Sequence, residues 1–98
     1  DAVRDLNDIY SYIAATRSEQ DAEYVFGRIL DAISDLQTYP NRGVCPVELS
    51  EVGCDEYREV FFKPYRIVYS IEGSYIYIQI IADGRRNFRA LLAQRLLR

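Results

Sequence analysis

In Tyr57-Arg58-Glu59-Val60-Phe61-Phe62-Lys63-Pro64-Tyr65-Arg66-Ile67-Val68-Tyr69-Ser70-Ile71-Glu72-Gly73-Ser74-Tyr75-Ile76-Tyr77-Ile78-Gln79-Ile80-Ile81, runs rich in Tyr, Phe, Ile and Val are interrupted only at Lys63-Pro64 and Glu72-Gly73. Short β-rich runs separated by turn residues predict three antiparallel strands in a meander, over 57–62, 65–71 and 74–81. A period of two then sorts side chains by face. Ile76, Ile78 and Ile80 share one side of the last strand and are its core candidates, with Tyr75, Tyr77 and Gln79 on the other. In the middle strand Tyr65, Ile67, Tyr69 and Ile71 share one side, and Arg66, Val68 and Ser70 lie on a more open face. A charge such as Arg66 in an apolar strand needs a partner or a ligand. Glu59, Glu72 and Asp83 are the candidate partners, and a functional role is the alternative.

Upstream the period is 3.6. From Ala2 to Ala15 the apolar positions Val3, Leu6, Ile9, Tyr10 and Ile13 recur at spacings of three and four, which predicts an amphipathic helix. Ser18 then offers an N-cap with Glu19, Asp21 and Glu23 in the first turn, and the stripe Ala22, Val25, Phe26, Ile29, Leu30, Ile33, Leu36 continues until Pro40. The short Thr16-Arg17 connection makes the two helices an antiparallel hairpin. Residues 41–54, with Gly43, Pro46 and Gly53, read as irregular. After Asp83-Gly84, the residues Phe88, Leu91, Leu92 and Leu96 mark a short C-terminal helix capped by Asn87 or Asp83. The expected architecture is a single α+β domain over residues 1–98, a small antiparallel sheet with the N-terminal helical hairpin packed on one face. The chain opens at Asp1 directly into a helical pattern, so a strand ahead of it is expected, giving β-α-α-β-β-β-α.

Composition narrows the chemistry. The 98 residues are 49% hydrophobic and contain no histidine, which removes every mechanism built on an imidazole base or metal ligand. Cys45 and Cys54 have neither CxxC spacing nor a histidine to complete a zinc set, so neither a metal nor another cofactor is expected. A reduced, non-catalytic pair is the favoured reading, and a disulfide the alternative. No apolar run approaches the roughly 20 residues needed to cross a bilayer. A bacterial-type cytosol is the expected location.

The net charge of −3 hides a division. Residues 1–40 carry eight acids against Arg4, Arg17 and Arg28, whereas residues 84–98 carry Arg85, Arg86, Arg89, Arg95 and Arg98 and no acid. Lys63 is the only lysine among twelve basic residues. Arginine's planar fork suits carboxylate or phosphate pairing. Arg95 and Arg98 also read as complements to the negative end of the last helix.

The words Asp5-Leu6-Asn7-Asp8-Ile9-Tyr10-Ser11-Tyr12-Ile13, Tyr39-Pro40, Lys63-Pro64-Tyr65-Arg66-Ile67-Val68-Tyr69 and Asp83-Gly84-Arg85-Arg86-Asn87-Phe88-Arg89-Ala90-Leu91-Leu92, in this order, resemble the RelE/ParE toxin superfamily over essentially the whole chain. The resemblance implies a toxin of a bacterial type II toxin-antitoxin module and the additional N-terminal strand. It offers two targets. RelE-like members cut mRNA on the ribosome with a cluster of basic side chains, commonly aided by a terminal tyrosine. Arg58, Arg66 and Arg86 match three basic positions, but Val60 stands at another and Leu92 at the tyrosine. Cleavage without a metal needs one group to take a proton and another to give one. Glu59 and Asp83 are candidates, although each has arginine neighbours to pair with. An isoelectric point of about 4.9 also suits ribosomal RNA poorly.

ParE-like members share the fold and poison DNA gyrase by binding, and this branch is the favoured expectation. Arg85, Arg86 and Arg89, with Arg66 beside them, are the expected target-binding residues, as forked donors in a stretch without local acids. The expected partner is a ParD-like or other small DNA-binding antitoxin, whose flexible segment folds as it wraps the toxin into a hetero-oligomer. Tyr10, Tyr24, Phe26, Phe61 and Phe62 are the candidate antitoxin contacts, because aromatic side chains anchor interfaces. The alternative for each is a place in the core.

Overall fold

The computed structural model describes residues 1–97 and contains, among them, four helices around a three-stranded antiparallel sheet. Helix α1 spans Ala2–Thr16 and begins where the Asp1 carboxylate accepts the Arg4 N–H at 3.0 Å. Helix α2 spans Glu19–Thr38, and its Ser18 hydroxyl accepts the Asp21 N–H at 3.0 Å, as the serine and the acidic first turn predict. A four-residue helix, α3 (Val47–Ser50), lies in the stretch expected to be irregular. Strands β1 (Tyr57–Phe62), β2 (Tyr65–Glu72) and β3 (Tyr75–Asp83) follow as the meander, in the order β1-β2-β3. Helix α4 (Phe88–Leu96) closes the described chain with Asn87, not Asp83, as its cap. The strand expected ahead of Asp1 lies outside the described residues, as does Arg98.

Both faces of the sheet are covered. On one, Ile13 of α1 and Ala22, Val25 and Ile29 of α2 pack with Ile67 and Ile81. On the other, Leu49 of α3 and Phe88 and Leu92 of α4 pack with Val68, Ile80 and Ala82. The molecule is therefore three layers deep, with the hairpin, the sheet, and then α3 with α4. This corrects the expectation that Arg66, Val68 and Ser70 occupy an open face. Ile67, Val68 and Tyr69 are all fully buried, so the middle strand is core on both sides.

The face assignment of the last strand also changes. Val68 pairs with Ile80 while Tyr69 pairs with Ile78, so Gln79 is an extra residue on β3 and the pairing shifts there. A bulge reverses the alternation beyond it. Ile78 consequently packs with the hairpin, Ile80 with α3 and α4, and Ile81 with the hairpin again. Ile76, Ile78 and Ile80 do not share one face.

Candidate functional site

Arg66 enters the sheet's second face from β2, and three of its nitrogens are engaged by carboxylates. Its Nε donates to Glu59 Oε1 at 2.8 Å, while Nη1 and Nη2 donate to the two oxygens of Glu48, each at 2.8 Å. The guanidinium carbon lies 3.9 Å from the centroid of the Phe88 ring. Of the partners named from sequence, Glu59 is used and Glu72 and Asp83 are not. Glu48 and Phe88 went unforeseen as partners. The two acids Glu48 and Glu51, three positions apart in a short segment, were the available signal, since that spacing puts them on one side of a helix.

The electrostatics follow from this geometry. Hydrogen bonds from Arg66 hold the Glu48 carboxyl down at about 2, against the opposing effect of burial. The same contacts raise Arg66, which stays charged. The Arg66 side chain is only 12% exposed and that of Glu59 5%. Arg66 is thus a buried brace with its fork filled, not an arginine free to meet a target, and the expectation of an outward-facing Arg66 is corrected.

Arg58 is also occupied. Its Nη1 donates to the carbonyls of Gly43 and Asn41 at 2.7 and 3.3 Å, tying the segment after α2 to β1. The Tyr69 hydroxyl holds the same segment, accepting from the Gly43 N–H and donating to the Pro40 carbonyl. Val60 packs against the hairpin core and Leu92 is buried against the opposite one, so both positions that depart from the RelE pattern serve as packing. Glu59 and Asp83 pair with arginines, and the contact from Arg85 lowers the Asp83 carboxyl.

The C-terminal arginines form the remaining basic surface, and acids are closer to it than the linear sequence suggests. Arg85 pairs with Asp83, Arg89 reaches Glu51 at 2.7 Å, and Arg95 clasps Asp5 through two contacts at 3.1 Å. Arg95 therefore anchors α4 to α1 and does not merely complement its own helix end. Arg85 and Arg89 keep 77% and 61% of their side chains exposed, and Arg86 is exposed with no carboxylate partner among the described residues.

The five aromatic candidates divide. Tyr10 and Phe62 pack against the hairpin core, and Tyr10 meets Phe26 edge to face at 5.9 Å. Tyr24 is 63% exposed and stacks by its edge on Phe62, while Phe61 is 51% exposed. Because Val60 and Phe62 face the hairpin, alternation puts Phe61 on the other face of β1. A groove of about 500 Å³ runs between α2 and the outer edge of β1, where Val44 bridges Glu59, and is lined in part by Arg28, Asp35, Arg42, Val44, Phe61 and Phe62.

No group of three or more Cys, Asp or Glu side chains that could hold a metal occurs among the described residues. Nor is any of their helices long and apolar enough to cross a membrane.

The chain is thus an α+β domain with Arg66 braced inside and further arginines at its surface. A family model described as the ParE toxin of the type II toxin-antitoxin system parDE matches residues 1–88, and the chain belongs to that family of toxins. Among solved structures it is similar to one titled the chromosomal ParDE toxin-antitoxin system from P. aeruginosa, at a TM-score of 0.69 and 24% identity over 85% of this chain and 87% of that one. This likeness speaks for the α+β fold. No curated protein matches the sequence.

Proposed function

We propose that this toxin acts by binding DNA gyrase, that Arg85, Arg86 and Arg89 contribute the target contact, and that a ParD-like antitoxin neutralises it in the bacterial cytoplasm. The observation that carries the reading is the occupation of Arg66. An RNase of the RelE type would need the Arg58, Arg66 and Arg86 positions to converge on a phosphate. Here Arg66 is filled by Glu48 and Glu59, and Arg58 is turned through its Nη1 to the backbone carbonyls of Asn41 and Gly43. The exposed arginines fit protein binding better. Their pairs with Asp83 and Glu51 lie at the surface, where solvent screens them, and are weak enough to be exchanged for a partner's acids.

The test is to induce the protein in a bacterial host and follow DNA damage and translation separately. Expected are an SOS response and gyrase-DNA cleavage complexes while protein synthesis continues at first. Combined replacement of Arg85, Arg86 and Arg89 by alanine should abolish the arrest while leaving the fold intact. Immediate translation arrest with mRNA cut at ribosomal A-site codons would overturn the proposal.

A further inference from the structure

Cys45 and Cys54 bracket α3, and the turn that closes this helix brings them together. The Leu49 carbonyl accepts the N–H groups of Val52 and Cys54 at 3.1 and 2.9 Å, and the Gly53 N–H bonds to Ser50. Gly53 has φ of 76°, the left-handed conformation that glycine adopts without penalty, and this turns the chain back on itself. As a result the Cys45 Sγ lies 3.4 Å from the carbonyl oxygen of Cys54, and both thiols sit half-buried against the cluster of Leu49, Phe88 and Leu92. Glu48 and Glu51, which grip Arg66 and Arg89, lie between the two cysteines.

We propose that Cys45 and Cys54 are an oxidation site, closing to an intramolecular disulfide by exchange with a small-molecule disulfide of the glutathione class. One protein thiolate attacks the small disulfide, forms a mixed disulfide and releases one small thiol. The other then attacks the protein-bound sulfur, forms the Cys45–Cys54 bond and releases the second. The two protein thiols supply the electrons that reduce the small disulfide, and their protons end on the two released thiols. The second step is favoured because the short turn holds the resolving thiol at high effective concentration. The bond ties together the two ends of the segment that carries α3, Glu48 and Glu51.

The purified protein, incubated with oxidised glutathione, is followed by intact mass, free-thiol titration and amide exchange. Expected are the loss of two hydrogen masses without adduct, disappearance of both thiols, and roughly tenfold slower exchange of the α3 amides. Cys45→Ser and Cys54→Ser should each stop at a glutathione adduct on the remaining cysteine. Wild-type protein that stops at glutathione adducts, forms disulfide-linked dimers or keeps both thiols free overturns the proposal. The wild-type mass decides without depending on the variants' stability.

Discussion

Arg66 shows how much one side chain organises. Its stem passes so close to Gly84 that a Cβ there would come within 2.7 Å of Arg66 Cδ. Asp83-Gly84 is therefore both the end of a strand and the space through which the arginine reaches its acids. Removing the guanidinium leaves Glu59 buried without its partner, and such a loss typically costs about 3–5 kcal/mol. Arg66→Ala is expected to lose stability on that scale in chemical denaturation, and Arg66→Lys to recover little, because an ammonium cannot make the forked contact with Glu48. A stable Arg66→Ala protein would return Arg66 to the list of target contacts. Glu48 adds a pH signature. Its carboxyl titrates near 2 in the fold, down from an ordinary 4.5. Because the folded value is the lower one, its contribution is fully present above about pH 4.5 and is lost as pH falls toward 2. The amount is on the order of 2 kcal/mol once solvent screening is allowed for. Glu48→Gln should lower stability at neutral pH and flatten this part of the acid-denaturation profile.

Among the elements, the free edge of β3 carries a device made from opposite ends of the chain. Asp5 Oδ2 accepts the Ile81 N–H at 3.0 Å, and Arg95 Nη2 donates to the Gln79 carbonyl at 2.7 Å. Joined to each other, the two side chains fill backbone positions that another strand would otherwise pair with, one way of blunting an edge. A double-mutant cycle with Asp5→Asn and Arg95→Ala is expected to give a coupling of about 1–3 kcal/mol by denaturation. Independent effects would mean that each side chain satisfies the edge separately. Nothing in the local sequence reveals this clamp, since its parts are ninety positions apart. The long helices and the meander were legible because periodicity and caps act within a few residues. Helix α3 was not, being too short to show a period, and Pro46 and Gly53, read as breakers, are its N-cap and its closing turn. The bulge at Gln79 was hidden because one inserted residue leaves the apolar composition of β3 unchanged while reversing its faces. The candidate site was read least well. Arg66 stood out as a charge in an apolar strand, but Glu48, which fills two of its donors, comes eighteen residues earlier in a segment without a recognised element.

At the scale of the whole molecule, the fold brings acids from elsewhere in the chain to the basic tail, Asp5 to Arg95 and Glu51 to Arg89. Target binding and neutralisation must then use what the three layers leave exposed. The exposed aromatics place a geometric condition on the proposed antitoxin. Tyr24 stands on α2 beside Phe62, whereas Phe61 lies on the other face of β1. A segment that contacts both has to cross the β1 edge along the groove. With the cognate antitoxin, Tyr24→Ala and Phe61→Ala are each expected to weaken binding about tenfold or more, as interface anchors do, while changing stability by about 0.5 kcal/mol or less. Tyr10→Ala and Phe62→Ala should instead destabilise the free toxin by about 2–4 kcal/mol, because these rings complete the hairpin core. Calorimetric titration beside thermal unfolding separates the effects. Loss of affinity at Tyr24 with none at Phe61 would confine the antitoxin to the hairpin side, and loss at both would require a chain that wraps around the edge strand.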